Sequence, residues 1–244
     1  MNTASQQPDS LEPVAAYDAF APYYKAYSKT RRRYLQKIED IVIAHAGNVR
    51  SMLDVGAGDG SRALRVARLA NIAQVVLLEP SAGMRAHCPE GAEIWPCRIS
   101  DLPAAAPAFE FITCLWNVLG HLRDNQEREL TLVRLRKLLA PGGAIFLDVC
   151  HRYNGAAYGW GRTFLRIGRD FFNPSEKHGD VVISWKAGES TIYTHGHLFT
   201  HMEIRSLCRF ANLKIARRWV VSYETGKECR LSLSGHLLYQ LTAA

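Results

Sequence analysis

The chain has 244 residues, 48% of them apolar, and a formal net charge of +7, enough for one α/β domain with a sizeable core. The basic excess is modest and spread along the chain, so a nucleic-acid partner ranks behind a small molecule. No run of about eighteen apolar residues occurs, which predicts no membrane-spanning segment. The six cysteines form no Cys-x-x-Cys pair, so they read as reduced thiols, no metal is expected, and the expected location is cytoplasmic.

Residues 1–12 are polar, without a basic start or an apolar stretch, and read as a frayed tail rather than a secretory signal. The expected organisation is a flexible tail at 1–14 and a single domain at 15–244. Over 15–46, apolar residues including Phe20, Tyr34, Ile38 and Val42 recur near the helical period, predicting a helical cap with a helix start at Pro22. Arg31, Arg32 and Arg33 fall on a solvated face of that region. From 51 onward strands alternate with helices: strands at 52–55, 74–79, 93–97, 109–115 and 144–149, helices at 62–70, 81–88 and 123–139. Such alternation predicts a doubly wound parallel sheet with helices on both faces.

After 149 the rhythm breaks, and 150–179 is rich in glycine, aromatic and basic residues without a clean period. Strands at 181–186 and 190–199, joined by Ala187, Gly188 and Glu189, predict a hairpin inside an insertion spanning about 151–200. A helix at 201–210 and strands at 214–223 and 234–242, with Gly226 in the turn between them, complete the chain.

The densest signal is the first strand and the turn after it. Asp54 ends an apolar run, and glycines at 56, 58 and 60 allow unusual backbone dihedrals and close ligand approach. The following helix points its N-terminus at that ligand. A dinucleotide fingerprint would place a third glycine where Ser61 stands, which disfavours a nicotinamide cofactor. Glu79 closes the second strand where a carboxylate can hold both ribose hydroxyls, so a nucleoside is the expected ligand, and Ser81 reads as a helix N-cap.

With LDVGAGDG at 53–60, LEPSAGM at 78–84, FEFITCLWNVLGH at 109–121 and LLAPGGAIFLD at 138–148, the chain resembles the class I S-adenosylmethionine-dependent methyltransferases over about residues 15–150. The resemblance implies a Rossmann-like, seven-stranded, mostly parallel sheet with an antiparallel last strand, here with a small added hairpin lid. It implies S-adenosyl-L-methionine as cofactor, held by Asp54, Gly56, Ala57, Gly58, Glu79, Pro80, Met84, Leu115 and Trp116. Arg98 stands where the family usually offers an acid to the adenine, so Ile99 and Ser100 are expected to substitute, with Asp101 as an alternative.

Tyr17 and Tyr24, seven apart in YDAFAPYY, match the helix with which many small-molecule methyltransferases close over the cofactor, although Lys25 replaces the usual aspartate. One of Arg31, Arg32 and Arg33 is a candidate for the cofactor carboxylate. Tyr24, Trp116 and His121 form the candidate catalytic set: an indole face near a sulfonium offers a cation–π contact, and the histidine can accept a proton or contact the cofactor. Tyr17, Tyr24, Asn117, Arg152, Tyr153 and Asn154 are placed against the acceptor. His195 and His197 alternate with period two, so they are expected on one face of the lid, without an acidic partner for a metal.

Residues 113–124 are similar to a segment of sugar-amine N-methyltransferases, so the expected reaction is methyl transfer to a small molecule, at nitrogen. The alternatives are a tRNA wobble-uridine methyltransferase, suggested by YSKTR at 27–31 and HLFTHME at 197–203, and a non-catalytic cofactor-binding protein. A homodimer is compatible with either enzyme reading.

Overall fold

The computed structural model describes residues 10–244. Residues 1–9 of the expected tail lie outside the described residues, and residues 10–14 are not free. The Leu11 N–H donates to the Tyr193 carbonyl at 2.8 Å, and helix α1 (Pro13–Thr30) begins two residues later. The Glu12 carboxylate accepts from the Val14 N–H at 2.9 Å and Pro13 opens the first turn, a position where a missing N–H costs nothing. The helix therefore starts nine residues before Pro22, which lies inside it. The region expected as one cap is two helices, because Arg31 breaks it before α2 (Arg32–Ala44).

The main sheet contains β1 (Ser51–Val55), β2 (Gln74–Leu78), β3 (Glu93–Trp95), β4 (Phe109–Cys114), β5 (Leu139–Val149), β8 (Leu213–Val221) and β9 (His236–Ala243). Its order is β3-β2-β1-β4-β5-β9-β8. The first five strands pair in parallel, and β9 inserts between β5 and β8, antiparallel to both. The seven-stranded, mostly parallel architecture expected from the resemblance is the one observed, with β6 (Asp180–Ala187) and β7 (Ser190–His197) as a separate antiparallel hairpin.

Central strands are covered on both faces, which is why β1 and β4 read as continuous apolar runs. Side chains alternate across the sheet with period two. Leu53, Val55, Ile112 and Leu147 pack under α5 (Asn125–Leu138) and α8 (His201–Phe210), whereas Met52, Leu77, Phe111 and Phe146 pack against α2 and α3 (Ser61–Leu69). Side-chain caps fix the helix starts: Asp124 accepts from the Glu127 N–H at 2.9 Å, and Thr200 and Glu203 form a reciprocal capping box. Helix α4 (Ala82–Arg85) is a single turn, capped by Ser81 as expected.

The segment 150–179, without a clean period in sequence, contains α6 (Gly155–Tyr158) and α7 (Trp160–Phe172). Only Thr163 of α7 is buried, and Phe164, Leu165, Phe171 and Phe172 are exposed. Gly161 and Gly168 interrupt the run, and no side chain caps it, so its helical period lacks the usual start and stop signals. Among the described residues no helix is long and apolar enough to cross a membrane.

Helix α1 crosses the carboxyl edge of the sheet and packs against α4 and the hairpin. Its Phe20 ring stacks on Trp185 of β6 at 4.8 Å. This third cluster, with Ala16, Ala21, Tyr24 and Met84, places α1 as a roof over the strand ends.

Candidate active site

The parallel strands end together where β1 turns into α3. Gly56, Gly58 and Gly60 all take positive φ, between +62° and +68°. A Cβ at Gly56 would meet Val118 at 2.5 Å, so this turn requires glycine for space as well as conformation.

Glu79 sits one residue beyond β2. One carboxylate oxygen accepts from the Gly58 N–H and the other from the Ser81 N–H, each at 2.8 Å. Burial pushes its carboxyl up to about 7 against these stabilising bonds. A carboxylate has about four lone-pair sites, so two remain for hydroxyl donors. The acid is thereby locked to the glycine turn before any ligand arrives.

Asp54 does not organise that turn. Its side chain accepts from the Thr113 hydroxyl of β4 at 2.5 Å, and burial raises its carboxyl to about 6. It ties two central strands together beneath the rim. Thr113→Val, which removes this donor, should cost about 1 kcal/mol of stability at pH 8, read from urea unfolding midpoints.

Sequence reasoning missed Arg62. It occupies the first turn of α3, with its guanidinium 5.1 Å from the centre of the Trp116 ring. Burial disfavours its charge, but Tyr24, Asp54, Glu39 and Asp59 nearby outweigh that and hold it charged. A cation at a helix N-terminus opposes the helix dipole, and this misfit was the available signal of a ligand role. The three arginines expected to supply this cation lie elsewhere. Arg31 stacks over Tyr223 at 4.6 Å, Arg32 lines a separate surface cleft, and the Arg33 backbone packs against Gly226.

Around the glycine turn runs a cavity lined by Gly56, Gly58, Glu79, Pro80, Leu115 and Trp116, with Ile99 and Ser100 at one end. Tyr17, Tyr24, Arg62 and His121 close the other side. Ala57 and Met84 stand behind this lining, Ala57 in the sheet core and Met84 against α1. Arg98 also lines the cavity and pairs with Glu12, whereas Asp101 is used in capping the turn at 99–101.

A second cavity, of about 510 Å³, shares Tyr17, Tyr24, Trp116 and His121 with the first. That size suits a drug-sized organic molecule. Its walls are largely aromatic: Phe20 and Tyr27 from α1, Trp185 from the hairpin, Tyr158 from α6 and Tyr223 after β8. Trp116 sits between the cavities, stacked on Tyr27 at 5.8 Å, with its backbone N–H donating to the Asp148 carboxylate at 3.0 Å. Both Trp116 and Asn117 take positive φ, a strained conformation that presents the indole at the rim.

His121 is held between two partners. Its Nδ1 faces the His195 carbonyl at 3.2 Å, which requires the proton there, so Nε2 accepts from the Tyr17 hydroxyl at 3.1 Å. Burial lowers its pKa to about 4. The ring is therefore neutral at physiological pH and is a weak base, which argues against a permanent proton acceptor; it orients Tyr17 instead.

Four residues expected against the acceptor serve the framework. Asn117 lines the second cavity, but its oxygen accepts from the Cys150 N–H at 2.9 Å and its nitrogen donates to the His197 carbonyl at 3.3 Å. Arg152, Tyr153 and Asn154 line neither cavity. The chain after β5 bridges to Phe199 instead of ending at the rim, and this turns all three away. Arg152 pairs with Asp170 at 3.0 Å and with Glu203, the Tyr153 hydroxyl donates to Asp170 at 2.8 Å, and Asn154 caps α6.

His195 and His197 also part company: His195 is exposed, while His197 is buried and bonded to Asp180 at 2.7 Å. His197 therefore has the acidic partner that the sequence did not reveal. No group of three metal-ligating side chains occurs among the described residues.

A family model described as a methyltransferase domain matches residues 25–217. Among curated proteins none matches this chain. Among solved structures, an S-adenosylmethionine-dependent methyltransferase from Clostridium acetobutylicum is similar at a TM-score of 0.64 and 13% identity, covering 93% of this chain and 98% of the other. An S-adenosylmethionine-bound amino pentose methyltransferase from Micromonospora echinaspora is similar at 0.59 and 16%, covering 90% and 97%. So is a 1,6-didemethyltoxoflavin-N1-methyltransferase from Burkholderia thailandensis, with its acceptor and S-adenosylhomocysteine bound, at 0.59 and 16%, covering 99% and 97%. Family match and topology agree: the chain belongs to the methyltransferase domain family and has the fold of S-adenosylmethionine-dependent methyltransferases.

Proposed function

We propose that the chain is an S-adenosyl-L-methionine-dependent methyltransferase acting on a small molecule, with nitrogen as the methylated atom. The observation that carries this reading is the pair of adjoining cavities, one built on the glycine turn and Glu79, the other aromatic, meeting at Trp116, Tyr17, Tyr24 and His121. Two structurally similar proteins, an amino pentose methyltransferase and an N1-methyltransferase, support a small nitrogen acceptor.

The residues present fit the cofactor. Gly56 and Gly58 leave space at the rim, Glu79 has free lone pairs for ribose hydroxyls, and Arg62 offers a guanidinium to a carboxylate. When bound, the sulfonium supplies a methyl group on a good leaving group. The protein then has to align the acceptor and exclude water, and aromatic walls with an α1 roof do both. Tyr17, held by neutral His121, fixes the junction between the cavities. Proton loss from an amine acceptor needs no strong base at this histidine.

Isothermal titration with S-adenosyl-L-methionine against NAD tests the cofactor; binding of NAD alone would overturn the reading. A mass-spectrometric screen for methylated amines then tests the acceptor class. His121→Phe should lower turnover by about tenfold or less, the scale of one orienting hydrogen bond. The pH–rate profile should keep its shape in that variant, since the neutral ring does not titrate near pH 6–7.

A further inference from the structure

The second cavity carries two arginines whose charges no part of the preceding mechanism uses. Arg31, at the end of α1, lines it with Nε buried and without a hydrogen-bond partner, and its guanidinium makes no ion pair among the described residues. Arg166 of α7 lines it too, with one nitrogen donating to the Arg152 carbonyl at 3.2 Å and no carboxylate partner among the described residues. Both are braced on aromatic faces, Arg31 over Tyr223 at 4.6 Å and Arg166 over Tyr158 at 5.1 Å. Tyr223 and Tyr158 both pack on His236, at 4.9 and 6.3 Å, so the two guanidiniums belong to one end of the cavity.

That end is set apart from the junction with the cofactor cavity by Tyr223, which bonds Trp116 and Tyr27. Tyr17, Tyr24 and Arg31 recur at intervals of seven along α1, which keeps them on one stripe of the helix. Arg31 lies about 10 Å beyond Tyr24 along the axis, and about 20 Å beyond Tyr17. The cavity thus has a neutral, aromatic transfer end and a cationic far end. Among the described residues the one carboxylate in its lining, Glu224, is exposed and pairs with neither arginine. An unpaired guanidinium fork is a recognition element for carboxylate or phosphate, and two on one wall select an anion.

We infer that the methyl acceptor carries an anionic group, a carboxylate or phosphate, about one aromatic ring's reach or more from the methylated atom, held by Arg31 and Arg166. This rests on the acceptor role proposed above for the second cavity. The test uses the full chain and matched probes, 3-aminobenzoate against 3-aminobenzamide and phenyl phosphate against phenol, titrated with and without S-adenosylhomocysteine. The anionic member of at least one pair should bind about tenfold tighter or more, and the pair with the larger ratio identifies the anion.

In Arg31→Gln/Arg166→Gln the preference should fall below about twofold, while Arg31→Lys, which keeps a charge, should retain part of it. Unchanged S-adenosylhomocysteine affinity in these variants shows that they fold and that the cofactor side is intact. Equal affinity for charged and neutral probes, no binding of any anionic probe, or full preference in the double variant would overturn the inference. Failure of the wild-type chain to bind S-adenosylhomocysteine overturns the methyltransferase reading instead, and the anion preference measured without that ligand then decides only whether Arg31 and Arg166 form an anion site.

Discussion

Glu79→Ala is expected to weaken S-adenosyl-L-methionine binding by about 1.5–3 kcal/mol, roughly 10- to 150-fold, in isothermal titration at pH 8. The loss is that of charge-assisted hydrogen bonds between a buried carboxylate and two ribose hydroxyls, since the same acid is already aimed by the Gly58 and Ser81 amides. Burial raises its carboxyl to about 7, above its unfolded value near 4.3. A raised carboxyl contributes stability that is fully present below the unfolded value and lost as pH rises through about 7. Asp54 and Asp148, both raised to about 6 by burial, act in the same direction. The unliganded chain therefore gives up this contribution between about pH 4 and 7, just where Glu79 becomes the better acceptor. The thermal shift produced by the cofactor should grow from pH 6 to pH 8, and the growth should vanish in Glu79→Ala. A wild-type affinity in the folded variant would place the ribose elsewhere.

The part of this design legible in sequence is the part that local pattern dictates. The strand, glycine turn and acid at 53–60 and 79 announce themselves because backbone conformation demands glycine there and the next strand delivers its carboxylate to the same edge. The positions of Tyr17, Tyr24, Trp116 and His121 at one junction were legible through a motif resemblance, since nothing in their spacing alone brings α1 over the strand ends. What stayed hidden depends on long-range partners. Arg62 looks like any helix-surface base until Trp116 and four acidic or phenolic neighbours surround it. Asp54 looks like a turn aspartate until Thr113, fifty-nine residues away, donates to it. The α7 helix does carry an apolar stripe, Trp160, Phe164, Ile167 and Phe171, but Gly161 and Gly168 and the missing side-chain cap masked it. Arg152, Tyr153 and Asn154 follow a catalytic-edge strand, but the bridge from His151 to Phe199 redirects the chain, and sequence carries no mark of that bridge.

Arg152→Ala separates a framework role from an acceptor contact, because only the framework role costs stability. An acceptor contact would cost turnover and leave stability intact. In the structure the side chain is 2% exposed and reaches four acceptors at once: Asp170 on α7, Glu203 on α8, and the carbonyls of Leu198 and Glu176. Burial pushes the Asp170 carboxyl up, but hydrogen bonds from Tyr153, Arg152, Arg169 and His178 hold it down at about 2. Deleting the cation takes one partner from each of two partly buried carboxylates that keep others, and leaves the Leu198 and Glu176 carbonyls without theirs, so the expected loss is about 2–3 kcal/mol of unfolding free energy at pH 7. A depressed carboxyl contributes stability above its unfolded value near 3.9 that is lost as pH falls through about 2, so the difference between variant and wild type should narrow below pH 4. Arg152→Lys should recover little, since a single ammonium cannot serve acceptors spread around a planar fork. Cofactor affinity of the folded variant should stay near wild type, because the cofactor cavity does not include Arg152. The acceptor cavity is the side that suffers: Arg152 ties together α7, the end of the hairpin and α8, and its own carbonyl steadies Arg166. Loss of the anion preference together with the stability would then follow from one deleted guanidinium that never touches the acceptor.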